Sequence, residues 1–240
     1  MTNPTAAMLV IGDEILSGRT RDSNMNHLAK ALTEAGIDLV EARMIADDHG
    51  SIVAAVRALS QAHDHLFTSG GIGPTHDDIT ADAVADALGA AIDVREDARA
   101  ILAAHYAARD TDLNEARLRM ARIPEGATLI DNPVSAAPGF SLGNVHVMAG
   151  VPKIFEAMLG GLLPQLGHGA ARLSENWRVE RGEGDVAAPL RQLAAEYPDL
   201  GFGSYPFDEE GVHGTNLLVR GSDRARVAEA IERLKELFPA

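Results

Sequence analysis

The sequence predicts a three-layer α/β domain built on a mostly parallel sheet, followed by a small α+β domain. Three observations carry that prediction. Strand-length apolar runs alternate with helical patterns through the first two thirds of the chain, a glycine-rich loop follows the third such run, and after about Leu173 the pattern changes to short alternating segments. At 240 residues the chain suffices for one well-buried core and a smaller second unit.

Residues 7–11 read as a buried strand that stops at Gly12. Met25, Leu28, Ala29, Leu32 and Ala35 then recur at helical spacing, with Asp22 or Ser23 as N-cap and Gly36 as the stop. A second strand covers 39–45. Ile52, Val53, Val56 and Leu59 mark one face of a second helix that opens near Ser51. A third strand, 65–68, leads into the glycine loop, and a helix runs from near Thr80 to Gly89, a C-cap glycine by position. Such alternation implies right-handed crossovers, with helices on both faces of the sheet.

Helices over 96–109 and 113–122 follow, then strand pieces around Leu129 and over 145–148. Between them lies a loop, 132–139, too rich in Pro and small residues for a helix or a central strand. Pro152 suits the first turn of another helix, and the glycine-rich stretch 160–169 marks its end and the boundary between domains 1–168 and 171–240. The second domain reads as a βαββα unit. Trp177 and Val179 lie on a strand, a helix covers 188–196, strands lie near 202–205 and 216–219, and Val227, Ile231, Leu234 and Phe238 mark a closing helix. Pro189 belongs in the first turn of its helix, so that helix is expected to begin later than Asp185 suggests. A unit of about 65 residues is small for independent stability, which implies packing against the first domain or a second subunit.

Lys and Arg number 21 against 35 Asp and Glu, a net charge of −14 and a pI near 5.0. That balance opposes direct binding to nucleic acid or anionic lipid. Cysteine is absent, which removes disulfides and thiolate metal sites. With no basic-plus-apolar leader and no long apolar span, a cytoplasmic location is expected.

The chemistry concentrates in Thr68-Ser69-Gly70-Gly71-Ile72-Gly73-Pro74-Thr75-His76-Asp77-Asp78, at the carboxyl end of a strand, where open α/β sheets bind ligands. Glycines at 70, 71 and 73 can take positive φ and bring backbone N–H groups close to a phosphate or pterin, and the next helix adds its positive end. Pro74 stiffens the turn. Two adjacent carboxylates, Asp77 and Asp78, would repel a phosphate unless a hard cation such as Mg²⁺ stood between them. Asp13 and Glu14 after strand one, and Asp47-Asp48 after strand two, are expected on the same sheet edge. His63 and His65 read first as surface histidines, and His76, inside the loop, is better placed for a ligand. The charged face of the last helix reads as solvated.

In order along the chain, Gly12-Asp13-Glu14-Ile15-Leu16-Ser17-Gly18, Asp22-Ser23-Asn24, Asp47-Asp48, 70–80, Asn114, 123–127, Asn132, Ala137-Pro138-Gly139-Phe140 and Gly150-Val151-Pro152 resemble the molybdopterin-binding (MoaB/Mog-like) domain. More narrowly they resemble the N-terminal part of competence/damage-inducible protein A. The resemblance spans about 7–160, and the tail from about 171 resembles the KH-like small domain that follows in that family. The amidohydrolase domain of longer members has no counterpart, so nicotinamide-nucleotide deamidation is expected to be absent.

The resemblance implies one shared problem, a pyrophosphate held by backbone donors and neutralised by a divalent cation (Mg²⁺, Mn²⁺ or Co²⁺). Mog-like members adenylylate molybdopterin, competence/damage-inducible members are credited with cleaving ADP-ribose-like nucleotides, and a related domain accompanies FAD synthase. On this chain it implies Asp78, Asp77 and Asp48 as catalytic residues and Asp47, Asp48 and Asp78 as metal ligands. A nucleotide or pterin would be bound by Gly12, Asp13, Glu14, Asn24, Ser69, Gly70, Gly71, Gly73, Pro74, Thr75, Asn132, Ala137, Pro138 and Gly139. The chain departs from the family at Ser135-Ala136, where a Gly-Thr pair is usual, and at Arg119-Met120, in place of Lys-Gln. Arg119 or Lys153 would then supply the missing charge. Pyrophosphate hydrolysis is the expected activity, molybdopterin binding with or without adenylylation the alternative, and a homo-oligomer, dimer or trimer, the expected assembly.

Overall fold

The computed structural model describes residues 3–209 and 211–239, which form two compact units, 1–169 and 170–240. In the first unit, β1 (Thr5–Ile11), β2 (Asp38–Ile45), β3 (His65–Ser69), β6 (Thr128–Ile130), β7 (Gly139–Leu142) and β8 (Val145–Met148) make a six-stranded sheet in the order β2-β1-β3-β8-β7-β6. The four strands from β2 to β8 run parallel, while β7 is antiparallel to both its neighbours.

The three layers follow from strand alternation. Ala7, Leu9 and Ile11 of β1 face a core completed by α3 (His49–Ala62), α4 (Thr80–Leu88) and α5 (Glu96–Ala107). Ala6, Met8 and Val10 face the other way, onto α2 (Asn24–Ala35) and α7 (Pro152–Leu162). A strand covered on both faces has no polar side to show, which is why β1 reads as a continuous apolar run. Gly36 and Gly89 end α2 and α4 with φ of 69° and 70°, as their sequence positions imply. At the start of α2 it is Asp22, one residue before the N-cap position, whose carboxylate takes the Asn24 and Met25 amides.

Several expectations are corrected. The helix expected over 113–122 is one turn, α6 (Glu115–Leu118), then a 3-10 turn over Arg119–Ala121. Arg122 opens β5 (Arg122–Pro124), which pairs with β4 (Ile92–Val94) as a separate ribbon. Three-residue strands such as these carry too few periods to be legible. A one-turn helix, α1 (Asp13–Leu16), stands directly after β1, where the sequence suggests only a loop. The helix at Pro152 runs on through Gly160 and Gly161, because Phe155, Met158, Leu159 and Leu162 bury one continuous face.

The second unit is an antiparallel sheet, β10 (Gly201–Glu209), β11 (Val212–Gly221) and β9 (Leu173–Val179) in that order, with α8 (Glu183–Glu196) and α9 (Arg224–Leu237). Val179, Leu217 and Val219 pack on Val186, Leu190 and Leu193 of α8 and Val227, Ile231 and Leu234 of α9. Here α8 begins before Pro189, which lies inside the helix. Burying Val186 needs the earlier turn, and that burial outweighs the one backbone bond a proline forfeits.

Candidate functional site

In the strand order β2-β1-β3, the connection after β1 goes to one side and the next returns across it, so the chain leaves the paired carboxyl ends of β1 and β3 towards opposite sides of the sheet order. Open α/β sheets bind ligands at such a point. Gly12 and α1 leave from β1, the glycine loop from β3, Asp47 from β2 and Gly150 from β8, all at this edge.

Gly70 and Gly71 have φ of 111° and 67°. A Cβ on Gly70 would collide with the Ile11 carbonyl, and one on Gly71 with Thr80 Oγ1, so the loop is seated against β1 and α4 by the absence of side chains. Gly73 does not take positive φ. Its bare Cα instead makes room for Asp78, whose Oδ2 would stand 2.6 Å from an added Cβ. The Gly70 amide is spent on the Met148 carbonyl at 3.2 Å, whereas those of Gly71, Ile72 and Gly73 have no partner among the described residues. Asp78 does not cap α4. Its Oδ2 takes the Thr75 amide at 2.8 Å and the Thr75 hydroxyl at 2.6 Å, closing the loop on itself.

A cavity of about 500 Å³ lies over this edge. Of the residues inferred to bind ligand or metal, Glu14, Gly70, Gly71, Gly73, Pro74, Asp78, Asn132 and Ala137 line it. So do Thr20, Ile72, Met120, Ser135, Ala149, Gly150, Val151, Pro152 and Ile154, which are absent from the residues inferred to bind ligand. Ile154 has a helical-period signal, but nothing local distinguishes a helix face lining a cavity from one lining a core.

Some of the inferred residues hold the site together. Asn132, 3 % exposed, gives Nδ2 to Ser135 Oγ and the Ala137 carbonyl and accepts the Val134 and Ser135 amides, so its polar capacity shapes the 132–137 loop. Gly139 starts β7 against Val147, Pro138 borders a cavity of about 20 Å³ behind the glycine loop, and Gly12 gives its amide to Ile45. Thr75 is exposed.

The carboxylates divide. Asp47 Oδ2 accepts the Asp13 amide at 2.9 Å. Burial pushes the Asp47 carboxyl above the usual range; that amide bond opposes the shift, and the charges of Asp13, Glu14 and Asp77 add to it. Asp48, inferred as a metal ligand, caps a helix. Its Oδ1 takes the Ser51 amide at 2.8 Å at the start of α3, and Ser51 holds its carboxyl below the usual range. Asp77 is exposed and outside the cavity wall. Among the described residues no three His, Asp or Glu side chains gather as a metal site. The donor set still fits a hard cation of the Mg²⁺ kind, which takes one or two carboxylates and fills its shell with water and phosphate oxygens.

The basic residues lie elsewhere. Arg119 Nη2 donates to the Asp78 carbonyl at 3.3 Å, behind the loop, and its Nε is buried without a partner among the described residues. Lys153 is exposed and off the wall. His76 is 99 % exposed, His63 Nε2 contacts Glu41, and His65 Nδ1 meets His146 Nε2 at 3.2 Å.

A family model described as "Probable molybdopterin binding domain" matches residues 7–168, and one described as "FAD synthase, middle domain" matches 171–240. A protein of Archaeoglobus fulgidus is 31% identical over 231 residues, covering 96% of both chains. A probable FAD synthase of Caenorhabditis elegans is 33% identical over 258 residues, covering 98% of this chain and 50% of that protein, so this chain spans half its length. The crystal structure of the protein CinA, of unknown function, from Thermoplasma acidophilum is 34% identical with a TM-score of 0.62, covering 67% of this chain and 98% of that one. Glycine loop, switch point and cavity all fall within the first matched segment, and the chain belongs to the probable molybdopterin-binding domain family, its tail matching the FAD synthase middle domain.

Proposed function

We propose that the protein binds a nucleotide or pterin ligand carrying a pyrophosphate in this cavity and hydrolyses the pyrophosphate with a divalent cation. The observation that carries the reading is the meeting, on one cavity wall, of the glycine loop with its unspent amides and the Asp78 carboxylate. The Gly71, Ile72 and Gly73 amides donate to phosphate oxygens. Asp47 and Asp78 are the carboxylates offered to the cation, and the raised Asp47 is the one with most to gain from a positive neighbour. The cation, when bound, neutralises phosphate charge and lowers the pKa of a water. Glu14, on the same wall, is positioned to accept from a ligand hydroxyl. Water attack at phosphorus breaks the P–O–P bridge, giving AMP and ribose 5-phosphate from ADP-ribose.

A second reading, molybdopterin binding without turnover, is favoured by the apolar part of the wall, where Ile72, Met120, Val151 and Ile154 suit a planar ring. Incubation with ADP-ribose, FAD and ATP, with and without Mg²⁺, Mn²⁺ or Co²⁺, separates the two. Metal-dependent AMP release, reduced in Asp78→Asn by about 100-fold or more, is the expected result. Ligand-induced thermal stabilisation with no product from any substrate selects the binding reading.

A further inference from the structure

One edge of the six-stranded sheet is β2, and among the described residues only β1 pairs with it. The other edge, β6, is three residues long, whereas β2 runs for eight and holds neither proline nor lysine, the residues that commonly guard an edge. Val40 is the extra residue of a bulge: the register steps from Ala6 opposite Leu39 to Ala7 opposite Glu41 and skips it. Beyond the bulge the Ile45 carbonyl takes the Gly12 amide, so Ile45 turns towards β1. Successive residues of a parallel strand turn their backbone groups to alternate sides. Glu41 and Arg43 therefore also turn towards β1, and Ala42 and Met44 hold N–H and C=O outward. Val40 at 56 % and Met44 at 43 % are exposed as well, which gives the bare edge an apolar surface that favours association.

The stretch also matches itself. Glu41 and Arg43 stand opposite Ala7 and Leu9, on the α3 face, while Ala42 and Met44 stand opposite Met8 and Val10, on the α2 face. Two copies turned antiparallel about a two-fold axis through Ala42 set Glu41 against Arg43 twice on one face and Val40 against Met44 twice on the other. Outward residues then meet outward residues, as an antiparallel ladder requires. Moving the axis one residue either way would set Glu41 against Glu41 or Arg43 against Arg43, so charge selects the register. Arg43 spends Nε on Glu41 of its own strand at 2.7 Å and, among the described residues, keeps both Nη groups for a second carboxylate. We propose that β2 is a self-pairing edge: a second copy of this chain adds its own β2 antiparallel, centred on Ala42, and the sheet continues across a two-fold axis.

Sedimentation velocity on the full chain, from nanomolar to submillimolar concentration, tests it. The wild type should be a dimer that dissociates on dilution. Ala42→Pro removes an outward N–H that the β1 ladder does not use, a change an edge strand tolerates, and should be monomeric with an unaltered far-UV circular dichroism spectrum. Arg43→Glu sets like charges across the axis twice and should weaken the dimer about tenfold or more. Adding Glu41→Arg reverses both pairs and should return the wild-type affinity, a recovery that a dimer held by another surface would not show. If Ala42→Pro does not fold, the two charge variants decide alone. A wild type that is monomeric throughout, a folded Ala42→Pro that still dimerises, or an assembly that Arg43→Glu leaves unchanged or the double reversal fails to restore overturns the proposal.

Discussion

His146, in β8 and 3 % exposed, is joined through Nδ1 to Ser141 Oγ at 2.8 Å and through Nε2 to His65. Burial, and after it the neighbouring His65, pushes its pKa down from 6.5 to about 4. For a base depressed on folding, the stabilisation is complete above the unfolded value and is lost as pH falls from 6.5 towards 4, up to about 3 kcal/mol. Denaturant titrations across that window should show a steep loss of stability, reduced in His146→Asn; an equally steep loss in the variant would assign it to other groups. Asp47 has the opposite sign. A carboxyl raised on folding adds stability only while protonated, below its ordinary 3.8, and becomes a cost as pH rises through the folded value. Asp47→Asn should melt higher than the wild type at neutral pH, by a margin that narrows in acid, while pyrophosphate cleavage is lost. A lower melting temperature at neutral pH would count against a strained carboxylate. The two-residue signal Asp47-Asp48 was legible in sequence, but which of the pair caps α3 was not. That depends on one bond, Ser51 amide to Asp48, which turns the second carboxylate onto α3.

Among the elements, the glycine loop was legible because its residue types are demanded by backbone geometry that few side chains tolerate. Gly71 sits at φ 67° with Thr80 Oγ1 where a Cβ would be. Gly71→Ala should therefore destabilise the fold by about 1–3 kcal/mol and abolish ligand-induced stabilisation. Retention of full ligand affinity, by titration, would show that the loop's amides do not hold the phosphate. The strands β4, β5 and β7 were not legible, being too short for a period to develop. Pro189 misled in the other direction, since a local preference for a first turn was overridden by burial of Val186 and Leu193. The 132–139 loop was recognised as a loop from its prolines. That Asn132 organises it from within could only be read from four hydrogen bonds converging on one side chain.

Over the whole molecule, each unit carries its own core, and every residue lining the cavity belongs to the first. Residues 1–169 expressed alone should thus bind the same ligand as the full chain within about threefold, a difference of roughly 0.7 kcal/mol. A loss of affinity well beyond that, in calorimetry on a folded fragment, would show that the tail completes the site. The sequence by itself determined the fold class, the order of the long elements, the glycine loop and the sheet edge on which the carboxylates gather. Those follow from apolar periodicity and from backbone conformations that only certain residues adopt, and both are local properties. Only the tertiary structure decided that Asp48 caps α3 while Asp47 takes the Asp13 amide, that Arg119 lies behind the loop, that Val151 and Ile154 form an apolar wall, and that Asn24 keeps one acceptor open. Each of these depends on where a side chain's few hydrogen bonds and contacts are spent, and the partners come from strands and helices far apart in the chain.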